Sequence, residues 1–231
     1  MISRQRENIH WLEFEQLQEF PHIVHGVFTR SHNVYDPEKR AHKSISEHLG
    51  LPQLITARQI HGHRVAHLPE EKVGTCDGMM TQAPHLPLLI QHADCQAALF
   101  YDPIHRAIAN VHCGWRGNVQ NIYRVTIQKM GKKFRTKPQD LLVCISPSLG
   151  PKKSEFRNHM RELPQDFYPF QIAPNYFDLW EISKMQLLRE GVLPDHIELA
   201  NLCTYEEAAT FFSYRREKKT GGNGTVIALK H

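Results

Sequence analysis

The chain has no apolar run long enough to cross a bilayer. Its opening stretch, MISRQRENIHWLEFEQL, has neither an apolar core nor a small-residue cleavage site. These two absences argue against a membrane protein and a secretory signal, so a cytoplasmic location is expected. Cysteine is scarce: Cys76, Cys95, Cys113, Cys144 and Cys203 are five in number, scattered, with no C-x-x-C pair. An odd, scattered set argues against a disulfide framework and for a reducing compartment. Charge of one sign is lacking too. Lys and Arg number 28 and Asp and Glu 24, a net of +4, and no like-charge block exceeds short groups such as Lys132-Lys133 and residues 215–219. Nucleic acid is therefore not an expected partner, whereas a small anion would be served by a few arginines. Neither an internal repeat nor a low-complexity linker divides the 231 residues. One domain over 1–231 is expected, large enough to bury a substantial core.

What is present in excess is histidine, with sixteen residues. Short apolar segments at residues 9–14, 23–28, 54–60, 64–68, 87–91, 97–100, 107–111, 140–145, 196–199, 211–214 and 225–229 have strand length and character. Residues 31–43 are polar and turn-rich and predict a surface loop. Residues 44–49 predict one or two helical turns stopped by Gly50. Helical spacing marks 118–134, with Asn118 as a candidate cap, and a helix beginning at Asp178 and ending at Gly191. A shorter helix is expected within 155–163. Strands outnumber helices and the two are interspersed, which makes the chain an α/β domain.

The chemistry concentrates in His92–Gly117, HADCQAALFYDPIHRAIANVHCGWRG. Two strand-length runs flank the Tyr101-Asp102-Pro103 turn, where proline presets a bend. Pairing them as neighbours brings Cys95 and His112 to one end of a sheet. Thiolate and imidazole are the ligands zinc favours, and a catalytic zinc takes three protein ligands with a fourth position open. His61, followed by Gly62 where backbone or ligand can approach closely, is the best third candidate. The same residues admit two other readings. Cys95 could be a nucleophile activated by His112, or a small buried hydrophobe beside hydrogen-bonded histidines. Arg116, near the start of a helix, suits phosphate or carboxylate; stacking on Trp115 is the structural alternative. Arg215 and Arg216 are a second candidate anion contact.

Taken together, the pieces resemble the YfiH-like family, once labelled polyphenol oxidase or laccase-domain proteins and later purine nucleoside phosphorylases. The resemblance rests on Gln59-Ile60-His61-Gly62, Asp77-Gly78-Met79-Met80-Thr81, Ala93-Asp94-Cys95 and His112-Cys113-Gly114-Trp115-Arg116-Gly117. Later matches are Ser146-Pro147-Ser148-Leu149-Gly150, Asp178-Leu179, Cys203-Thr204 and Phe211-Phe212-Ser213-Tyr214-Arg215-Arg216. It extends from about residue 23 onward. It implies layered mixed sheets with flanking helices, a cysteine-hydrolase-type fold, and zinc held by His61, Cys95 and His112. It also implies phosphorolysis of adenosine and inosine with phosphate, and deamination of adenosine. Cys95, His112 and Asp94 are then the candidate catalytic residues, with Asp94 orienting a ligand or the sugar. Arg116, Arg215, Arg216 and Arg30 are the candidate substrate and phosphate contacts. Copper, suggested by the older label, fits less well, because the sequence has no multi-copper ligand set and a thiolate with two imidazoles binds copper adventitiously. Two further outcomes are an amide hydrolase or peptidoglycan-precursor editing enzyme that uses Cys95, and a catalytically silent zinc-binding protein. The chain departs from the family pattern in three places: residues 31–39 lack the usual Gly-Gly, Ser146 replaces a glycine, and Gly222 stands where an arginine is usual.

Overall fold

A computed structural model describes residues 1–230. In chain order the strands are β1 (Ile2–Arg6), β2 (Ile9–Glu13), β3 (Ile23–Phe28), β4 (Val65–His67), β5 (Gly78–Thr81), β6 (Leu88–His92) and β7 (Gln96–Asp102). They continue with β8 (Ala107–Cys113), β9 (Leu142–Ile145), β10 (Gln171–Ala173), β11 (Tyr176–Phe177), β12 (Ile197–Leu199) and β13 (Asn223–Leu229). The α-helices are α1 (Arg40–Leu49), α2 (Trp115–Val119), α3 (Ile122–Phe134), α4 (His159–Glu162), α5 (Leu179–Arg189) and α6 (Tyr214–Glu217).

Two mixed-order sheets carry the fold. One runs β1-β2-β3-β13-β6 and the other β12-β9-β7-β8-β5-β4, while β10 and β11 form a separate hairpin. The period-2 alternation of a strand decides what lies between the layers. On β7, Ala97, Leu99 and Tyr101 face the core shared by both sheets, with Leu88, Ile90 and Ile227. Ala98 and Phe100 point the other way, into a second core closed by Ile122, Tyr123, Ile127 and Met130 of α3 and Leu187 of α5. The outer face of the first sheet is covered by Ile45 of α1, packed with Trp11, Phe28 and Val226. The result is a helix–sheet–sheet–helix stack, the layered α/β architecture expected from the sequence.

Four local expectations are corrected. Residues 54–60 form no strand; they make only isolated bridges, Ile55 to Leu88 and Arg58 to Thr75. The Gln59 side-chain amide replaces a ladder there, donating to the Gln91 carbonyl at 2.8 Å and accepting its N–H at 3.0 Å. The long helix starts after Asn121, whose side chain caps it by accepting from the Arg124 N–H. Asn118 lies inside α2 and is buried, donating to Ser183 and Gln186 of α5. Residues 211–214 are not a strand, since Ser213 caps α6 by accepting from the Arg216 N–H. The 31–43 loop ends at Arg40, where α1 begins, and α1 stops at Gly50 in the left-handed region as expected.

Candidate metal centre and active-site cavity

The antiparallel register of β7 and β8 sets Ala97 opposite His112 and Gln96 opposite Cys113. Cys95, one residue before β7, therefore meets His112 at the same end of the sheet. His61 comes from the loop between α1 and β4. One nitrogen from each histidine and the Cys95 sulfur all lie within 4.8 Å of one another. Among the described residues, the sequence-expected trio is brought together.

Asp77 organises this loop, a role the sequence reading missed. Its carboxylate is fully buried and accepts the N–H groups of His61 (2.9 Å), Gly62 (2.8 Å) and Ile60 (3.2 Å). It also accepts Nδ1 of His112 at 2.9 Å. Because Nδ1 is engaged, His112 presents Nε2 towards Cys95 and His61, the ordering a metal-ligating imidazole takes from an outer carboxylate. The only sequence signal for this was an aspartate in the Asp77-Gly78 pair, which reads equally well as a turn.

Glycine matters at one position here, and it is not Gly62. A Cβ on Gly114 would stand 2.7 Å from the Cys95 sulfur and 3.2 Å from the His61 ring. Two non-glycine residues of the site, His61 (φ 60) and Asp94 (φ 85), occupy the left-handed region. Such backbone persists where its surroundings hold it, as the Asp77 and Asp94 hydrogen bonds do.

Electrostatics make Cys95 and His112 a matched pair. Burial alone would push the Cys95 thiol up, but the charge and hydrogen bond of His112, aided by His61, bring it down to about 6. Burial likewise opposes charge on His112, yet Cys95 and Asp77 raise it to about 9. Asp77 stays ionised below the usual carboxylate range: burial works against it, and His112 with the Gly62 and Ile60 amides prevails. His92, adjacent in sequence, is not part of this site. It is buried with Nε2 2.8 Å from the Thr225 hydroxyl, and burial lowers it to about 3.

The trio opens onto a cavity of about 730 Å³ whose wall includes Arg58, Asp94, Arg116, Tyr35, Gln91 and Arg215. That volume suits a small-molecule ligand. The Arg116 guanidinium lies 4.1 Å over the Trp115 ring. Stacking and exposure to the cavity thus coexist, leaving the Arg116 donors available. Asp94 accepts the Thr204 hydroxyl at 2.7 Å and the Arg215 backbone N–H at 2.5 Å. It fastens α6 to the strand that follows Cys95. The remaining two arginines lie elsewhere. Arg216 donates to the carbonyls of Thr204, Tyr205 and Phe211 and to Glu217. Arg30 pairs with Glu217 and stacks over Phe212 at 4.7 Å. Neither lines the cavity. Arg58, which the sequence reading passed over, does.

A cluster of His61, Cys95 and His112 that could hold a metal ion lines a pocket on a two-sheet α/β frame. The chain belongs to the family described as multi-copper polyphenol oxidoreductase laccase, which matches residues 30–230. A purine nucleoside phosphorylase of Haemophilus influenzae is 31% identical over 193 residues, covering 78% of this chain and 77% of that protein. One of Bacteroides thetaiotaomicron is 36% identical over 156 residues, covering 64% of this chain and 58% of the relative, so the match spans less than two thirds of its length. The crystal structure of the Bacillus licheniformis hypothetical protein YfiH shares the fold, with a TM-score of 0.86 at 23% identity over 99% of each chain. No helix among the described residues is long and apolar enough to cross a membrane.

Proposed function

We propose that the chain is a purine nucleoside phosphorylase acting on adenosine and inosine, with His61, Cys95 and His112 as zinc ligands. The observation that carries this reading is the convergence of the three ligand atoms within 4.8 Å beside a cavity lined by Arg58, Arg116 and Arg215. The activity for which the relatives are named supplies the substrate class.

The donor set fits zinc. Two imidazoles and one thiolate leave a fourth tetrahedral position, the pattern of a catalytic rather than a structural site. Asp77 holds one ligand's tautomer and the other's backbone, and Gly114 leaves room beside the sulfur. When bound, zinc supplies Lewis acidity beside the reacting atoms.

The protein's own groups account for the rest. Arg116 and Arg215, with Arg58, present guanidinium donors to phosphate dianion, a bidentate match. They set the nucleophile against the ribose. One phosphate oxygen bonds C1′ as the C1′–N9 bond breaks, and the purine departs with the bonding pair and takes up a proton. Asp94 acts as a positioning residue: with its oxygens committed to Thr204 and Arg215, it places Arg215 rather than touching the sugar. Adenosine deamination is the second reaction of the same proposal, with water adding at C6 and ammonia leaving.

A second reading draws on one observation, the low Cys95 thiol beside a raised His112. A thiolate–imidazolium pair of this kind is also a nucleophile and its base, as in a Cys95-dependent amide hydrolase. Metal analysis and phosphate-dependent purine release, measured on the wild type and on His61→Ala, separate the two. Loss of both metal and phosphorolysis in His61→Ala supports the zinc phosphorylase. Full turnover in metal-free protein overturns it and promotes Cys95 to nucleophile.

A further inference from the structure

Opposite the metal-competent trio, one stretch of cavity wall is built with more care than a surface loop requires. Asn33 Oδ1 accepts the N–H groups of Tyr35 (3.0 Å) and Gly222 (2.9 Å), and the Val34 N–H donates to the Gly222 carbonyl at 3.0 Å. Val34 itself is buried. These bonds seat the Tyr35 ring directly on Gly222: a Cβ at 222 would stand 2.5 Å from two of its ring carbons. Nothing larger than glycine fits under the ring, which explains why this chain carries no arginine there. Tyr35 also lines the cavity. A phenol is uncharged at ordinary pH, so the ring offers a neutral face.

Gln91 stands beside it. Its Nε2 donates to the Val34 carbonyl at 2.5 Å, a carbonyl that also accepts from His42 at 2.9 Å. A carbonyl can only accept, so the amide's orientation is set by its partner. Gln59 clamps the Gln91 backbone at the same time. Gln91 lines the cavity, and no described residue donates to its Oε1, which is accessible rather than buried.

We propose that Tyr35 and Gln91 are the base-recognition subsite: the ring seated on Gly222 stacks against the flat face of the purine, and Gln91 Oε1 accepts a hydrogen bond from its six-membered edge. This rests on the purine nucleoside reading above. The donor is the 6-amino group in adenosine and N1–H in inosine, two groups on the same edge. One acceptor serves both nucleosides because the base slides in its plane on the ring by about one atom position from one to the other, and it discriminates against a purine with neither donor. The chemistry calls for a flat neutral platform, because stacking tolerates either base, together with a fixed acceptor at the edge of the ring to orient it.

The test is equilibrium binding of adenosine, inosine and purine riboside, which lacks both donors, to the intact metal-loaded protein, alongside phosphorolysis kinetics. Purine riboside is expected to bind about tenfold more weakly than adenosine. Tyr35→Leu, which keeps apolar bulk but not the flat face, is expected to weaken adenosine binding about tenfold and leave the KM for phosphate in place. Tyr35→Phe is expected to recover the affinity that Tyr35→Leu loses. Metal content and circular dichroism of each variant report whether the fold is intact. Should the wild type phosphorolyse adenosine while Tyr35→Leu and purine riboside bind as well as their references, the subsite is overturned and the function stands. Should the wild type bind adenosine through Tyr35 without turning it over, the function fails and the subsite stands. A protein that neither binds nor turns over purine nucleosides overturns both.

Discussion

The two walls of the cavity are built differently. The wall bearing Cys95 and His112 grows from the ends of β7 and β8, central strands of a six-stranded sheet buried on both faces. Its third ligand is fastened by a fully buried carboxylate that accepts four N–H groups. The facing wall, with Tyr35, Arg215 and Lys218, belongs to loops and to the four-residue α6. That wall is held by side-chain clamps from Asn33, Asp94 and Ser213 rather than by strand ladders. A metal centre tolerates little misplacement of its ligands, so its support is drawn from the core. Substrate contacts must admit and release a ligand, and low local stability suits them.

Breaking the rigid wall should cost most. Cys95→Ala is expected to abolish metal binding and phosphorolysis together, with the fold retained, as checked by metal analysis and thermal unfolding. Gly114→Ala is next: its methyl would invade the space beside the Cys95 sulfur, and metal affinity should fall while secondary structure persists. Asp77→Asn preserves shape but loses the charge opposite His112, and should cost roughly 10–100-fold in metal affinity by competition with a chelator. Asp77→Ala, which strands several buried donors and a buried imidazolium, should also lower stability by about 3–5 kcal/mol in denaturant unfolding.

Changes to the arginines should be milder, and whether each one lines the cavity should decide which property moves. Arg116→Ala is expected to raise the KM for phosphate about tenfold, in keeping with the loss of charge-assisted hydrogen bonds, with metal content unchanged. Arg216→Ala inverts that pattern, lowering stability with little change in phosphate KM, since its guanidinium serves protein carbonyls. If both arginines moved only the KM, the distinction between cavity and clamp would be wrong.

The smallest effect sharpens the comparison through pH. In metal-free protein, the ultraviolet absorbance of the Cys95 thiolate should rise through about pH 6, and be absent in Cys95→Ala. The depressed thiol contributes stability that is present above its ordinary value and lost as pH falls through about 6. The raised His112 contributes stability that is complete below its ordinary value and lost as pH rises through about 9. Metal-free protein should therefore resist denaturant best between those limits, and bound metal should flatten the profile by displacing the proton the pair shares.

Legibility in the sequence followed range. The strands of the central stretch were read correctly, because strand-length apolar runs and a proline turn are local signals. So was the placing of Cys95 beside His112, because antiparallel neighbours with a short turn leave one register. Residues 54–60 misled, since an apolar loop lying along a sheet edge carries the composition of a strand while Gln59 supplies its hydrogen bonds. Residues 211–214 misled for a related reason: Phe211 is core, but Ser213 is committed to capping. Asp77 was visible as part of a family-bearing motif but its role was not, because no local pattern shows that four donors converge on it.

The apolar alternation, the five unpaired cysteines and the family-bearing motifs were determined by the sequence alone, being properties of spacing and residue type. Which arginines reach the cavity was decided only by the tertiary structure. Arg215 and Arg216 are neighbours in the chain, yet one lines the pocket and the other is spent on three carbonyls and Glu217. Adjacent side chains on a helix leave it about 100° apart, so what each one meets depends on elements distant in the chain.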